Sequence, residues 1–430
     1  MLRLDARHLR PGSYEPPVSK SDAIRALVLA DMLDLPRPFS AESLPRDVAI
    51  VGRAMESLRG ARRSEGVAEI DCEDGGAPFR VLLGQAAVTP VPARLTGSAR
   101  LGERPHRPLT EALCRGLGPE GLALRWGDPW PLQVHGVSGV RATRFVVEAS
   151  ESGQYVTSLL LAAATLLLRD GQPRTIELSG RLASPGYVAL TLDWLTTAGF
   201  RWVRADQSFT LTEHRRPRQL PATPADWSSA GYLLVLAWLS GGEVIGRGLS
   251  AAHPDRRILG LLRGLGLSVS SSAEGNLRVQ GQATRGLDVS AVESPDLIPT
   301  LAVLAAVLPA VSTFSDLQIL RLKESDRVSG LLELLAAAGV TATLDSAHRL
   351  VVVPGAPVPP LIRFESRGDH RLAMAAATLA CCLGTKLALG GAACVEKSFP
   401  RFFEQLALGG AISCYSGAAS PATGRTETSK

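Results

Sequence analysis

Aromatic residues are scarce: Phe, Trp and Tyr make up 5% of the 430 positions. That is too few to lay out the stacking platform that single-stranded nucleic acid requires. No block of Lys and Arg is present either. The formal net charge of +5 is spread along the chain, which suits small anions better than a polyanion. The six cysteines (Cys72, Cys114, Cys381, Cys382, Cys394 and Cys414) form no CxxC pair and no metal-ligand spacing. They read as reduced thiols of a cytoplasmic protein, and no metal or redox cofactor is signalled. Met1–Asp5 begins without the apolar stretch of a signal peptide. The apolar run 297–311 is too short to span a membrane and contains Pro299 and Pro309.

What is present is an ordinary globular composition, 45% hydrophobic and 20% charged, long enough for two or three domains. The most informative stretch is Pro17-Val18-Ser19-Lys20-Ser21-Asp22-Ala23-Ile24-Arg25, followed by an Ala/Leu-rich segment. Ser19 or Ser21 can cap a helix there, because a short hydroxyl side chain accepts a bond from an orphan backbone N–H. Lys20, Ser21 and Arg25 then lie in the first turns, where free N–H groups and the helix dipole favour an anion. The same grammar returns at Asp74–Leu83, Ser152–Leu161, Trp227–Leu233, Ser294–Leu301 and Arg367–Met374. A polar turn, a cationic or polar residue and a small-residue apolar helix recur at intervals of roughly 55 to 80 residues, as repeats of one supersecondary unit would. Six copies divide into three and three, with helix N-termini able to converge on one place.

Between these helices lie short runs with strand character: Val48–Val51, Thr143–Val147, Thr175–Leu178, Ser208–Leu211, Glu243–Ile245, Leu267–Val269, Ser312–Phe314, Arg349–Val353 and Lys386–Ala388. Arg80–Leu83 reads equally as strand or as continued helix. Two proline-rich segments, 11–17 and 216–224, read as linkers, which argues for two α/β domains. The expected division is 12–222 for the first domain, 1–11 with 223–414 for the second, and 415–430 as a disordered tail.

Four charged motifs complete the pattern. Leu95-Thr96-Gly97 precedes Gly102-Glu103-Arg104-Pro105, and an arginine before proline is held extended, so its guanidinium is presented rigidly to an anion. Arg321-Leu322-Lys323-Glu324-Ser325-Asp326-Arg327 precedes a helix that Ser325 or Asp326 can cap. Asp369-His370-Arg371 heads another, and Glu396-Lys397-Ser398-Phe399-Pro400 follows it.

Taken in order with Gly76, Arg80, Ser184, Tyr187 and Pro295-Asp296, these motifs resemble the EPSP synthases, the enolpyruvyl transferases of the shikimate pathway, from about Pro16 to about Leu406. The resemblance implies an α/β fold of two similar domains, each of three βαβαββ repeats, arranged as an inside-out α/β barrel. It implies transfer of the enolpyruvyl group of phosphoenolpyruvate to the 5-hydroxyl of shikimate 3-phosphate, on the route to chorismate and the aromatic amino acids. By the same resemblance, Lys20, Gly76, Arg104, Gln154, Arg327, Arg371 and Lys397 hold phosphoenolpyruvate. Lys20, Ser21, Arg25, Ser152, Gln154, Ser184, Tyr187, Asp296 and Lys323 hold shikimate 3-phosphate. Lys20, Asp296, Glu324 and His370 form the catalytic set, with Asp296 at the 5-hydroxyl and Glu324 as proton donor to C3. A monomer without cofactor is implied, acting on small molecules and not on nucleic acid or membrane.

The chain departs from the family pattern at four places. Asp74 stands in the Asp-Gly-Gly-Ala turn where the family has Asn, adding an anion near the phosphoenolpyruvate site that weakens binding unless it is paired or turned away. Gly153 replaces a serine, Ile319 a polar residue and Val81 a proline. Gly76, lacking a Cβ, leaves room for the inhibitor glyphosate. Alternatives are the sister transferase acting on UDP-N-acetylglucosamine, a non-catalytic small-anion binder and a nucleic-acid-binding repeat protein. The first of these has Lys-Asn in place of Lys20-Ser21 and a loop cysteine absent from Gly102–His106.

Overall fold

The computed structural model describes all residues except 41–42, 120–121, 129, 137–141, 356 and 416–430. Among the described residues there are five four-stranded sheets, and all share one order. In each, two parallel strands lie side by side and the second pairs antiparallel with a third; in four sheets that third strand is the second arm of a hairpin that follows, and in the last it comes from the amino terminus. Parallel neighbours need a crossover connection; in four sheets a helix supplies it, whereas between Ser13–Tyr14 and Glu243–Val244 the chain runs through the whole first half.

The first two helices, α1 (Lys20–Met32) and α2 (Arg46–Ser64), precede any complete sheet. The first sheet holds Ala68–Asp71, Pro92–Thr96, Leu122–Trp126 and Leu132–Gly136. Its helices are α3 (Gly76–Val88), α4 (Ala99–Glu103) and α5 (Arg107–Leu117). The second sheet runs from Arg144–Glu148 to Ser208–His214 with α6 (Gly153–Asp170) and α7 (Pro185–Thr197). The third joins Ser13–Tyr14 to Glu243–Val244 and the hairpin Ser268–Ser271/Leu277–Gln280, carrying α8 (Trp227–Ser240) and α9 (Ile258–Gly264). The fourth runs from Asp288–Ser290 to Leu350–Val353 with α10 (Ile298–Leu304), α11 (Gln318–Arg321) and α12 (Arg327–Ala337). The last pairs Leu361–Glu365 with Lys386–Gly390 and carries α13 (His370–Leu383) and α14 (Phe402–Leu408). The amino-terminal strand Leu2–Asp5 completes it, inserted between Lys386–Gly390 and Ile412–Tyr415.

These are βαβαββ units. The leading unit is the exception: Val18 makes a single bridge to Ala225, and α1 and α2 are followed directly by the first sheet. Val48–Val51 is therefore not a strand but part of α2. A four-residue apolar run has no periodicity of its own, and Val48, Ile50 and Val51 are buried on a helix face instead. Arg80–Leu83 lies within α3. Tyr415 ends a strand; residues 416–430, expected as a tail, lie outside the described residues.

Two hydrophobic cores result. One gathers apolar side chains between Ala23 and Leu220, the other those of Leu2–Tyr14 and of Trp227–Ala411. Tyr14 packs in the second core, so the chain leaves that core slightly later than the expected boundary at residue 12. The chain passes between the cores twice, and the two passages are tied together. The Ser19 N–H donates to Pro224 O at 2.8 Å, and the Asp226 N–H to Pro17 O at 2.8 Å.

Candidate active site

All six helix starts marked by the repeating grammar are helix starts in the structure. Those of α1, α3, α6 and α13, with the turn leading into α10, border one cavity lined from both cores. Side-chain caps set the entries of α1, α6 and α13, while α3 starts from Gly75 without one. Ser19 Oγ accepts from the Asp22 N–H, Ser152 Oγ from the Gln154 N–H, and the Asp369 carboxylate from the N–H groups of Arg371 and Leu372. Of Ser325 and Asp326, it is Asp326 that caps α12. Each cap places the next residues (Lys20, Gln154, His370) at the cavity edge.

The first core contributes the cations and hydroxyls. Lys20 is buried and pairs with Asp47 at 3.0 Å. Arg25 is buried and spends its donors on Thr191 Oγ1 (2.8 Å), Ser21 O (2.6 Å), Tyr187 O (2.9 Å) and Thr157 Oγ1 (3.3 Å). Burial presses its proton affinity down, yet a guanidinium stays charged in proteins. Arg104 has extended dihedrals (φ −70°, ψ 151°) before Pro105, as expected. Its Nε and Nη1 are buried without hydrogen-bond partners. A Cβ at Gly76 would lie 2.0 Å from that Nη1, so the space left by the missing side chain is filled by Arg104. Ser184 stands at φ +51° ahead of α7, a left-handed conformation that turns the chain so that Tyr187 faces the cavity.

The second core contributes acids and more cations. Arg327 is almost fully buried and donates to three carboxylates: Asp296 (2.9 Å), Glu324 (2.8 Å) and Asp369 (2.9 Å). Asp296 also meets Arg371 at 3.3 Å and Lys323 at 3.8 Å. Burial opposes its charge, but Arg371, Lys323 and Arg327 outweigh that and hold its carboxyl well below the usual range. Glu324 is treated alike: against burial, Lys397 (3.6 Å), Arg327 and Arg104 (3.9 Å) hold it well below the usual range. Burial lowers Lys323 to about 8. His370 is buried with both ring nitrogens unpartnered. Burial, with Lys20 and Arg371 nearby, keeps its imidazole neutral.

Most of the residues marked in the sequence line the cavity together; Gly76, Arg371 and Lys397 stand behind it, against Arg104, Asp296 and Glu324. Asp74 is paired, its carboxylate 3.0 Å from Lys397 Nζ. Ile319 and Val81 line the wall as apolar groups. Two contributors escaped the sequence reading of the site. Arg80 donates to Gln154 Oε1 at 2.7 Å and to Pro105 O at 3.0 Å, holding both. Asp47 balances Lys20. Arg80 was visible as a motif member, whereas nothing in the local sequence ties Asp47 to Lys20.

A sequence profile of EPSP synthase (3-phosphoshikimate 1-carboxyvinyltransferase) matches residues 49–406. The chain belongs to the EPSP synthase family. Among curated members of that family, the 3-phosphoshikimate 1-carboxyvinyltransferase of Halobacterium salinarum is 33% identical over 426 residues, covering 92% of this chain and 96% of its own. That of Methanopyrus kandleri is 34% identical, covering 92% and 95%. An EPSP synthase structure from Acinetobacter baumannii superposes with a TM-score of 0.72 over 96% of this chain and all of its own, at 17% identity. The enolpyruvyl transferase NikO from Streptomyces tendae gives 0.71 over 97% and 99%, at 15% identity. The fold is therefore the two-domain, inside-out arrangement of EPSP synthases and other enolpyruvyl transferases.

Proposed function

We propose that this chain transfers the enolpyruvyl group of phosphoenolpyruvate to the 5-hydroxyl of shikimate 3-phosphate and releases phosphate. The observation that carries the reading is a pair of half-buried carboxylates, Asp296 and Glu324, bridged by one guanidinium, Arg327, in a cavity walled by cations. Both substrates carry a phosphate and a carboxylate. The unpartnered nitrogens of Arg104 and Arg371, which would cost stability if nothing ever met them, suit those groups. Phosphoenolpyruvate is assigned to Lys20, Gly76, Arg104, Gln154, Arg327, Arg371 and Lys397. Shikimate 3-phosphate is assigned to Lys20, Ser21, Arg25, Ser152, Gln154, Ser184, Tyr187, Asp296 and Lys323.

Asp296, ionised by its cationic neighbours, accepts the proton of the 5-hydroxyl as the oxygen attacks C2 of the enol. Glu324 supplies the proton that C3 takes up. Lys397, Arg327 and Arg104 oppose protonation of Glu324 and keep it a carboxylate before substrate binds. Phosphoenolpyruvate brings its own negative charge to those cations. Their effect on Glu324 is thereby offset, and its proton affinity rises as the substrate binds. Phosphate then leaves the tetrahedral intermediate, and C3 returns its proton as the double bond re-forms. Lys20 neutralises charge on the departing phosphate. His370 adds a neutral imidazole with both nitrogens available. The two halves closing on the cavity would exclude water and strengthen each of these contacts.

Glyphosate, as a small phosphonate-bearing anion, fits the same cations, and an inhibition constant measured against phosphoenolpyruvate tests it. We assign a cytoplasmic monomer. The decisive assay is phosphate release from phosphoenolpyruvate with and without shikimate 3-phosphate, in wild type and Glu324→Gln. Release that depends on shikimate 3-phosphate and collapses in the variant is expected. No release while shikimate 3-phosphate still binds would identify a small-anion binder instead.

A further inference from the structure

A cluster of buried polar groups lies behind the acceptor side of the cavity. Tyr187, in the first turn of α7, donates its hydroxyl to Asp255 Oδ2 at 3.0 Å. Ser228, in the first turn of α8, donates to the same oxygen at 2.5 Å. The Asp255 N–H is held by His253 Nδ1 at 3.1 Å. The His253 ring packs edge-on against Tyr187, with centroids 5.7 Å apart. Asp255 is wholly buried, and its Oδ1 has no hydrogen-bond partner. Burying such a carboxylate costs folding free energy, and its side-chain bonds are to Tyr187 and Ser228. Tyr187 packs against the first core, while Asp255 and Ser228 sit among elements of the second. At its other end, Tyr187 presents its backbone carbonyl to Arg25 at 2.9 Å. One residue thus connects an anion-binding arginine of the first half to a buried acid of the second.

We propose that Asp255, with Ser228, is a positioning residue for the acceptor: it locks the Tyr187 ring in place against shikimate 3-phosphate and makes that placement depend on contact between the two halves. The proposal rests on the reading that shikimate 3-phosphate occupies this side of the cavity. A tyrosine tethered at both ends loses less freedom when the acceptor packs on it, so part of the ordering cost of binding is met beforehand. Phosphoenolpyruvate, held by Arg104, Arg371 and Lys397, does not share that benefit.

The test is calorimetric titration of shikimate 3-phosphate into wild type, Asp255→Ala, Asp255→Asn, Tyr187→Phe and the double variant Tyr187→Phe/Asp255→Ala, with KM for phosphoenolpyruvate measured alongside. Asp255→Ala is expected to weaken shikimate 3-phosphate about tenfold, the scale of one buried hydrogen bond to a charged group, with KM for phosphoenolpyruvate moving far less. Asp255→Asn keeps an acceptor oxygen and is expected to recover most of the loss. The double variant should be no worse than the poorer single one, because both remove one interaction. Unchanged affinity in Asp255→Ala, additive losses in the double variant, or equal damage to both substrates together with a lowered Tm would overturn the proposal. If Asp255→Ala does not fold, Tyr187→Phe decides, since it removes only a hydroxyl: unchanged affinity there overturns the proposal too. A wild type that fails to bind shikimate 3-phosphate at all overturns the functional reading and this inference with it.

Discussion

Gly76 and Arg104 share a space that only one side chain can fill. With a Cβ placed 2.0 Å from Arg104 Nη1, Gly76→Ala must displace the guanidinium from the cavity. Losing one charged hydrogen bond of about 1.5–3 kcal/mol should raise KM for phosphoenolpyruvate roughly tenfold to a hundredfold. Steady-state kinetics would show it, and glyphosate inhibition should weaken in parallel. Lys323 makes a second prediction, in pH. Burial sets its ammonium at about 8, so it is charged below that value and neutral above it. Affinity for shikimate 3-phosphate should therefore be level at lower pH and fall as pH rises through about 8, because the cation facing the anion is lost. Titrations at a series of pH values check this, and Lys323→Met should flatten that fall. Asp74 illustrates how far a residue can be read alone. Its negative charge was legible, but its partner Lys397 lies 323 positions away, and only the fold decides that the two meet.

Helix entries were the most legible elements, because a cap is a local bond between neighbours in sequence. Ser19 both accepts from the Asp22 N–H (3.2 Å) and donates to the Asp22 carboxylate (2.5 Å). Ser19→Ala should cost about 1–2 kcal/mol, read as a lowered urea midpoint with an unchanged slope. The strand expected at Val48–Val51 failed for the converse reason. A short apolar run takes whichever form buries it, and here the continuation through Gly52 and Ala54 to Met55 and Leu58 makes one buried helical face. Gly153 shows an element-level constraint invisible in sequence. A Cβ there would lie 2.5 Å from Ala183 O, so the turn into α7 packs where a serine side chain would begin. Gly153→Ser, which restores the hydroxyl usual in the family, is accordingly expected to weaken shikimate 3-phosphate binding or lower Tm rather than tighten binding. Tighter binding at unchanged Tm would show that the turn yields.

At the scale of the whole molecule, function depends on groups that face each other across two cores. Besides Lys397–Asp74 and Tyr187–Asp255, Arg100 of α4 reaches the carbonyls of Arg321, Lys323 and Glu324 at 3.4–3.5 Å. It thereby steadies the turn that carries both Lys323 and Glu324. The arginine is 44% exposed and its bonds are long, so its effect should be small. Arg100→Ala is expected to raise KM for both substrates about two- to fivefold with little change in kcat, on the scale of an exposed charged contact. A variant with wild-type kinetics would exclude Arg100 from holding the halves together.

The sequence by itself determined the repeating helix starts, the short list of residues able to cap them, the extended Arg104 before Pro105 and the set of cations and acids. Each of these follows from contacts between near neighbours or from side-chain chemistry that travels with the residue. Tertiary structure decided what lies between distant positions. It placed the Leu2–Asp5 strand in the last sheet, left the leading unit as α1 and α2, put Arg104 in the space above Gly76, and set Arg327 among three carboxylates. It also fixed which acids are ionised, since a carboxyl's proton affinity depends on burial and on charges brought near it by folding. No spacing along the chain records those distances.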